Sequence, residues 1–387
     1  MDRYPELRGK ALLFLFFLWL LWFINFSIRM VFSPILPIVE DEFMVNHARA
    51  SSIFIFLSAG YGIAVLVSGL YSGRFGYKKT IVLSLLLLSL VNFSTYFMYN
   101  FFLLYVFAFL IGFSVGLYLP SAIPLITEYY AEKNWGKAIA IHDTGASSAI
   151  FITPFIVLLL LSFFQWRGIF IVYAFIFLVC AVIFFSVSTE VKISNLPRAM
   201  LNDIVKRRSL WLMAIIWVFG AGANLGIYAI TPLYLTKELN MGVGYANTIL
   251  GISRLGSVGV AIACGFLIDK FNLRYVMFAI IVITSFFTIL MGLVGARYIG
   301  FVLFFQAFFV TGFFPVGLVA IAKMFNREMR SLATGLILAM SILFGGGIIP
   351  YFLGVSGDLH SFAIGISIFG VVLMLSSTLI FHLKELE

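Results

Sequence analysis

Gly69-Leu-Tyr-Ser-Gly73-Arg74-Phe75-Gly76-Tyr77-Lys78 is the stretch on which the fold turns, because it comes back later as Gly265-Phe-Leu-Ile-Asp269-Lys270-Phe271-Asn272-Leu273-Arg274. Glycine, a basic residue, phenylalanine and a second basic residue recur at matching offsets. Each copy follows an apolar block and ends it on a charge cluster. A loop repeated with the same orientation in each half of a chain implies two halves related by an axis along the membrane normal.

The blocks around these loops are membrane spans. Of the 387 residues, 63% are hydrophobic and only 11% are charged, against about 25% charged in a soluble domain. A helix needs roughly 20 apolar residues to cross a hydrocarbon core of about 30 Å. Apolar blocks between charge clusters place spans one to twelve at 11–38, 50–72, 79–98, 101–126, 137–163, 168–188, 209–235, 244–268, 274–294, 297–322, 331–354 and 360–382. Each is expected to be a helix, since lipid leaves no water to satisfy an unpaired amide. The expected fold class is therefore all-α: a polytopic membrane protein of twelve transmembrane helices in two pseudo-symmetric six-helix bundles. The polar, basic interruption 189–208 reads as a cytoplasmic linker between bundles 1–188 and 209–387. The first apolar block begins near Ala11 and runs too far, without a small-residue cleavage site, to be a cleaved signal.

Charge sets the orientation. The formal net charge is +9. One side of the expected membrane carries nineteen Lys and Arg, among them Arg3, Arg8, Lys10, Arg74, Lys78, Lys79, the 192–208 run, Lys270, Arg274 and Lys323. The other side carries four, Arg49, Arg167, Lys237 and Arg297. The positive-inside rule puts the richer side, with both termini, in the cytoplasm of a cell membrane. The basic balance is thus an orientation signal, and a nucleic-acid partner is not expected. Cys180 and Cys264 lie inside apolar blocks, with no metal-ligand or redox spacing.

Two basic residues remain, and both lie inside spans. Ionisable groups in the membrane are costly and mark functional sites. Arg29 lies in span one, eight residues before Pro37, about 15 Å below the outer end at 1.5 Å per residue. Arg254 lies in span eight, fifteen residues before Asp269 and so roughly 22 Å from the cytoplasmic end. A snorkelling Arg29, and a structural pairing of Arg254 with Asp143, are the plainer alternatives. Asp143 is the one carboxylate well inside the spans and is the expected proton carrier. His142 precedes it, about 100° around the helix, so the two are not expected to share the cavity face. Glu128 reads as a loop residue at the end of span four. Tyr61, Tyr118, Tyr228 and Gln306 are candidate cavity-lining residues, with core packing as the alternative for each.

The repeated Gly-x-x-x-Asp-Arg/Lys-x-Gly-x-Lys/Arg loop resembles the signature of the major facilitator superfamily, and the resemblance extends over the whole length. The first copy has Gly73 where the acid is expected; the second keeps Asp269 but has Asn272 for the later glycine. The resemblance implies a conformational role for Gly69, Arg74, Lys78, Gly265, Asp269, Lys270 and Arg274. Arg29 followed by Pro37 and an acidic outer loop, with His142-x-x-Gly145 and then Trp166-Arg167 and Phe170, is similar to the organophosphate antiporters and the anion:cation symporter branch. That likeness implies an anion site containing Arg29 and His142. The second arginine that the antiporters carry in span seven is replaced by Asn224, eight residues before Pro232, and Arg254 stands where they carry an acid. Small organic anions such as carboxylates are then a better match than phosphate esters.

The expected function is a secondary active transporter, not an enzyme, that imports a small organic anion with H+ as the coupling ion and works as a monomer in the lipid bilayer. No cofactor is expected, and no phosphate-binding Gly-Lys-Ser/Thr loop points to ATP. A drug or metabolite exporter of the same fold is the nearest rival, but span four lacks the arginine, and span five the Gly-Pro pair, of drug:proton antiporters. A passive channel, distinguished by non-saturating flux without counterflow, and a non-transporting membrane sensor are the alternatives of other classes.

Overall fold

A computed structural model describes Tyr4, 6–190 and 201–386. Among these residues eleven helices are long and apolar enough to cross a membrane. Spans one to seven are Lys10–Phe43, His47–Val67 (its helix running on to Phe75), Tyr77–Tyr96, Phe101–Tyr129, Glu132–Leu161, Trp166–Val187 and Arg208–Lys237. Spans nine to twelve are Leu273–Leu293, Ile299–Met324, Leu332–Leu359 and Phe362–His382. The twelfth member of the set, span eight, comes in two shorter pieces, Val243–Ile252 and Ser257–Lys270. Most of the expected linker, residues 191–200, lies outside the described residues; its last part holds a short helix, Leu201–Val205.

The expectation of continuous helices needs correction at several spans, and the reasons are local. Span one breaks at Val31, between Lys10–Met30 and Phe32–Phe43. Pro34 has no N–H to give the Met30 carbonyl, and its ring crowds that oxygen. Span four breaks at Leu117 and Tyr118, just ahead of Pro120. Span eight breaks over Ser253–Arg254–Leu255–Gly256, where i→i+3 bonds such as Arg254 N–H to Gly251 O (3.0 Å) replace the helical ladder. Spans seven and eleven stay helical but widen into π-helix at Gly222–Gly226 and Ser341–Ile348. Such widenings commonly fall at functional sites.

By packing, the chain groups into two compact units. The first comprises Met1–Phe32 and Phe56–Pro197. Within it span one packs on span five, and span three on span six. Gly145 allows the first of these approaches: a Cβ there would lie 2.9 Å from the Trp19 carbonyl oxygen. Ser27, Thr153 and Tyr173 join spans one, five and six by hydroxyl hydrogen bonds.

The second unit comprises Ser33–Ile55 and Arg198–Glu387. It thus takes in the C-terminal part of span one and the start of span two, and polar contacts explain why. Ser33 donates to the Tyr228 carbonyl (2.7 Å), and Asn247 donates to the Pro34 carbonyl (3.1 Å). The Asp358 carboxylate accepts the N–H groups of His47 and Ala48, both at 2.9 Å, at the start of helix His47–Ser51. Orphan amides at a helix start are an anion's natural partners. Lys237 pairs with Glu40 (3.6 Å) and Asp41, and Glu40 is hydrogen-bonded to His47 (2.8 Å). Spans nine and twelve, and spans nine and ten, form the largest helix–helix contacts of this unit.

Candidate functional site

In the first unit the site is built around Arg29. Its helix ends one residue later, at Met30, so the guanidinium projects beside an interruption. The side chain is buried, 5% exposed, and its Cζ lies 4.3 Å from the Tyr61 ring centre and 4.9 Å from that of Phe26. Among the described residues it makes no ion pair, and its Nε has no hydrogen-bond partner. Asp143 is exposed on span five, while its neighbour His142 is wholly buried, as their angular separation requires.

His142 sits in an aromatic stack. Its ring lies 5.8 Å from Trp22 and 6.0 Å from Tyr118, nearly parallel to both. Tyr118, at the break in span four, donates its hydroxyl proton to the Leu18 carbonyl (3.0 Å) and is hydrogen-bonded to His142 Nε2 (3.2 Å). A carbonyl only accepts, so the hydroxyl oxygen must accept from the imidazole. That assigns the proton of a neutral His142 to Nε2 and leaves Nδ1 as a bare acceptor, buried and without a partner.

In the second unit Arg254 stands inside the break of span eight, not on a continuous helix as expected from its spacing to Asp269. It is 2% exposed. Its guanidinium donates to the Asn224 side-chain oxygen and to the Asn224 carbonyl (3.0 Å), and lies 5.3 Å from the Tyr228 ring centre. Asn224 lies in the π-helical part of span seven, with Tyr228 four residues on. Gln306 reaches the same segment from span ten, donating to the Ala223 carbonyl (2.8 Å) and Thr288 (3.3 Å), with its Oε1 unpartnered. Arg254 also makes no ion pair among the described residues, and its Nε is unpartnered.

Each unit therefore buries one mid-span arginine beside a helix interruption, against a tyrosine and, among the described residues, without an ion pair; Arg167, also buried, lies instead at the start of span six and donates through Nε to the Met98 carbonyl (2.8 Å). The sequence singled out Arg29, Tyr61, His142 and Asp143, which the structure gathers in one unit, and Arg254, Asn224, Tyr228 and Gln306, which it gathers in the other. It missed Trp22, Phe26 and Ser27, which look like any other residues of an apolar span.

The repeated loops differ in how they are tied. At the first, Lys78 donates through Nζ to the Ser188 carbonyl (2.6 Å) and through its backbone N–H to the Glu190 carboxylate (3.3 Å). Gly76, at φ 89°, leaves room for that carboxylate, because a Cβ would lie 2.0 Å from it. An acid from the end of span six thus serves the start of span three, in a motif copy whose own acid is replaced by Gly73. Arg74 is exposed. At the second copy Asn272 caps span nine through the Arg274 N–H (2.9 Å), and Arg274 donates to the Leu383 carbonyl (2.7 Å). Gly69, Gly265 and Asp269 fall on helices, and the Asp269 side chain lies outside the described residues.

Among the described residues, the apolar helices, their interruptions and a buried polar cluster in each unit describe a polytopic membrane protein. The Major Facilitator Superfamily family model matches residues 18–303 and, a second time, 227–386. The chain belongs to that superfamily. It is 24% identical over 269 residues to the hexuronate transporter of Bacillus subtilis (strain 168), covering 65% of this chain and 63% of that one. It is 26% identical over 153 residues to the probable sulfoacetate transporter of Cupriavidus necator, covering 40% of this chain and 36% of that one. The matched part thus spans less than two thirds of these relatives. Among solved structures, a bacterial homolog of the human lysosomal transporter Spinster, in an inward-facing and unoccupied conformation, superposes with a TM-score of 0.81 at 13% identity, covering 96% of both chains. A D-xylose–proton symporter superposes at 0.78 with 15% identity, covering 96% of this chain and 99% of that one.

Proposed function

We propose that the protein imports a small organic anion, in symport with protons, and that Arg29 and Arg254 grip the same anion. The observation that carries this reading is two buried mid-span guanidiniums, Arg29 and Arg254, with no carboxylate partner among the described residues. A buried cation loses several kcal/mol of solvation. A ring face or an amide returns less than an ion pair does. An anion held by both arginines supplies the missing charge, and the planar fork suits a carboxylate or sulfonate. Asn224, Tyr61, Tyr228 and Gln306 complete the site. His142 contributes its bare Nδ1, which accepts a hydrogen bond from a substrate hydroxyl. The two relatives are named for hexuronate and sulfoacetate, both of them anions, which supports the class.

Asp143 carries the proton in this reading. The two six-span halves, 1–188 and 209–387, alternate access as a monomer in the cell membrane, with both termini cytoplasmic. Labelling of single cysteines in 192–208 from the outside only would contradict that orientation.

The test is a thermal-stability panel on purified protein: D-glucuronate, D-galacturonate and sulfoacetate against D-glucose and tetraphenylphosphonium. A ligand at a hundred times its dissociation constant adds about 2.7 kcal/mol of apparent stability. Stabilisation by an acid and not by its neutral or cationic counterpart is expected. Stabilisation by tetraphenylphosphonium alone would replace the reading with cation export.

A further inference from the structure

A cavity of about 420 Å³ lies between spans eight, nine and ten, apart from both arginines, and its wall is almost wholly apolar. Two stripes at four-residue intervals form its sides: Gly259, Ala263 and Leu267 on span eight, and Tyr275, Ala279 and Ile283 on span nine. Phe308 and Phe309 of span ten complete the lining. Residues four apart fall on one helical face, so the two stripes run side by side. Gly259 and the two alanines provide the depth: nothing lies within 4 Å of where a Gly259 side chain would begin.

The cavity opens sideways. Leu267, Phe271 and Tyr275 are 41, 61 and 63% exposed, and in a membrane-spanning segment such a surface meets lipid. It is also directional. From Gly259 in mid-span to Phe271 at the helix end it rises about 18 Å at 1.5 Å per residue. That matches one leaflet, about half of a 30 Å hydrocarbon core. Exposed Lys270 stands at the loop end, beside Phe271. An apolar groove one leaflet long with a cation at its mouth complements the shape and charge of a single anionic phospholipid.

We propose that this groove binds one acyl chain of an anionic phospholipid, whose headgroup phosphate meets Lys270. The lipid fills a void whose walls otherwise lack packing partners, and it touches the loop joining spans eight and nine, the second copy of the repeated motif. The proposal is independent of the anion-import reading, because it uses neither arginine.

The experiment is native mass spectrometry of the full-length protein released from detergent after incubation with dioleoyl-phosphatidylglycerol or dioleoyl-phosphatidylcholine. One retained phosphatidylglycerol in excess over phosphatidylcholine is expected. Gly259→Leu and Ala263→Leu fill the groove and should each remove that lipid while leaving the lipid-free melting temperature unchanged. Lys270→Gln leaves the groove open and should lower the preference for phosphatidylglycerol about fivefold, the ratio that one interfacial lysine supplies. Equal retention of the two lipids by the native protein would overturn the proposal. So would groove-filled variants that keep the lipid, or an undiminished preference in Lys270→Gln.

Discussion

A guanidinium taken out of water and given no carboxylate has to be stabilised by weaker partners. For Arg29 these are the faces of Tyr61 and Phe26; for Arg254 they are one asparagine and Tyr228. Cation–π contacts contribute about 0.5–2 kcal/mol each, against a desolvation cost of several. The residual charge is the basis of the proposed anion site. Asp143 is the complementary case, an exposed carboxylate on a span, and the proposal gives it the proton. Asp143→Asn, reconstituted in liposomes, should abolish accumulation driven by a proton gradient and spare counterflow of labelled anion. Accumulation at the native level would move the proton site elsewhere. Arg29, Arg254 and Asp143 were legible in the sequence because charge in an apolar block stands out against its neighbours. Their aromatic and amide partners were not. Tyr61 and Asn224 meet the arginines across spans, and no periodicity within one span reports which residue of another faces it.

At the level of elements, hydropathy located the spans because a bilayer demands a fixed apolar length. It did not locate their interruptions. Pro34 marks one, yet Pro37 and Pro154 lie inside helices that continue past them. The break at Arg254 is flanked by Gly251 and Gly256, and glycine elsewhere in the chain serves close helix packing, so the residue type does not single it out. The π-helical segments have no sequence signal of their own, but the glycines that let them meet are visible. A Cβ on Gly345 would lie 2.4 Å from the Val218 carbonyl oxygen and 2.8 Å from the Gly222 nitrogen. Both are backbone atoms, so the two segments must separate to admit it. Gly345→Leu should therefore cost about 1–3 kcal/mol, as overpacking does. It should also pull Asn224 away from Arg254, so that anion-induced stabilisation weakens along with the melting temperature. Gly335→Ala, on the same span with nothing within 4 Å of its Cβ position, is the control and should leave both unchanged. Equal behaviour of the two variants would show that close contact between these segments is not needed.

For the whole molecule, the repeat at 69–78 and 265–274 and the apolar blocks were enough to reach twelve spans and the superfamily. Packing adds what the chain order does not carry: Ser33–Ile55 belongs with Arg198–Glu387. Asp358, Lys237 and Asn247 hold that segment through polar contacts scattered over more than a hundred residues of sequence, too far apart to be read as a pattern. The central claim, that one arginine from each half grips one anion, is tested most directly by calorimetric titration. The titrant is whichever of D-glucuronate, D-galacturonate or sulfoacetate stabilises the native protein most, and the proteins are the native chain, Arg29→Lys, Arg254→Lys and the double variant. Lysine keeps the charge and loses the fork, so each single variant should bind at least about tenfold more weakly, or about 1.4 kcal/mol. The double variant should depart from the sum of the two losses, because groups sharing a ligand are coupled. Native affinity in either single variant would contradict the account.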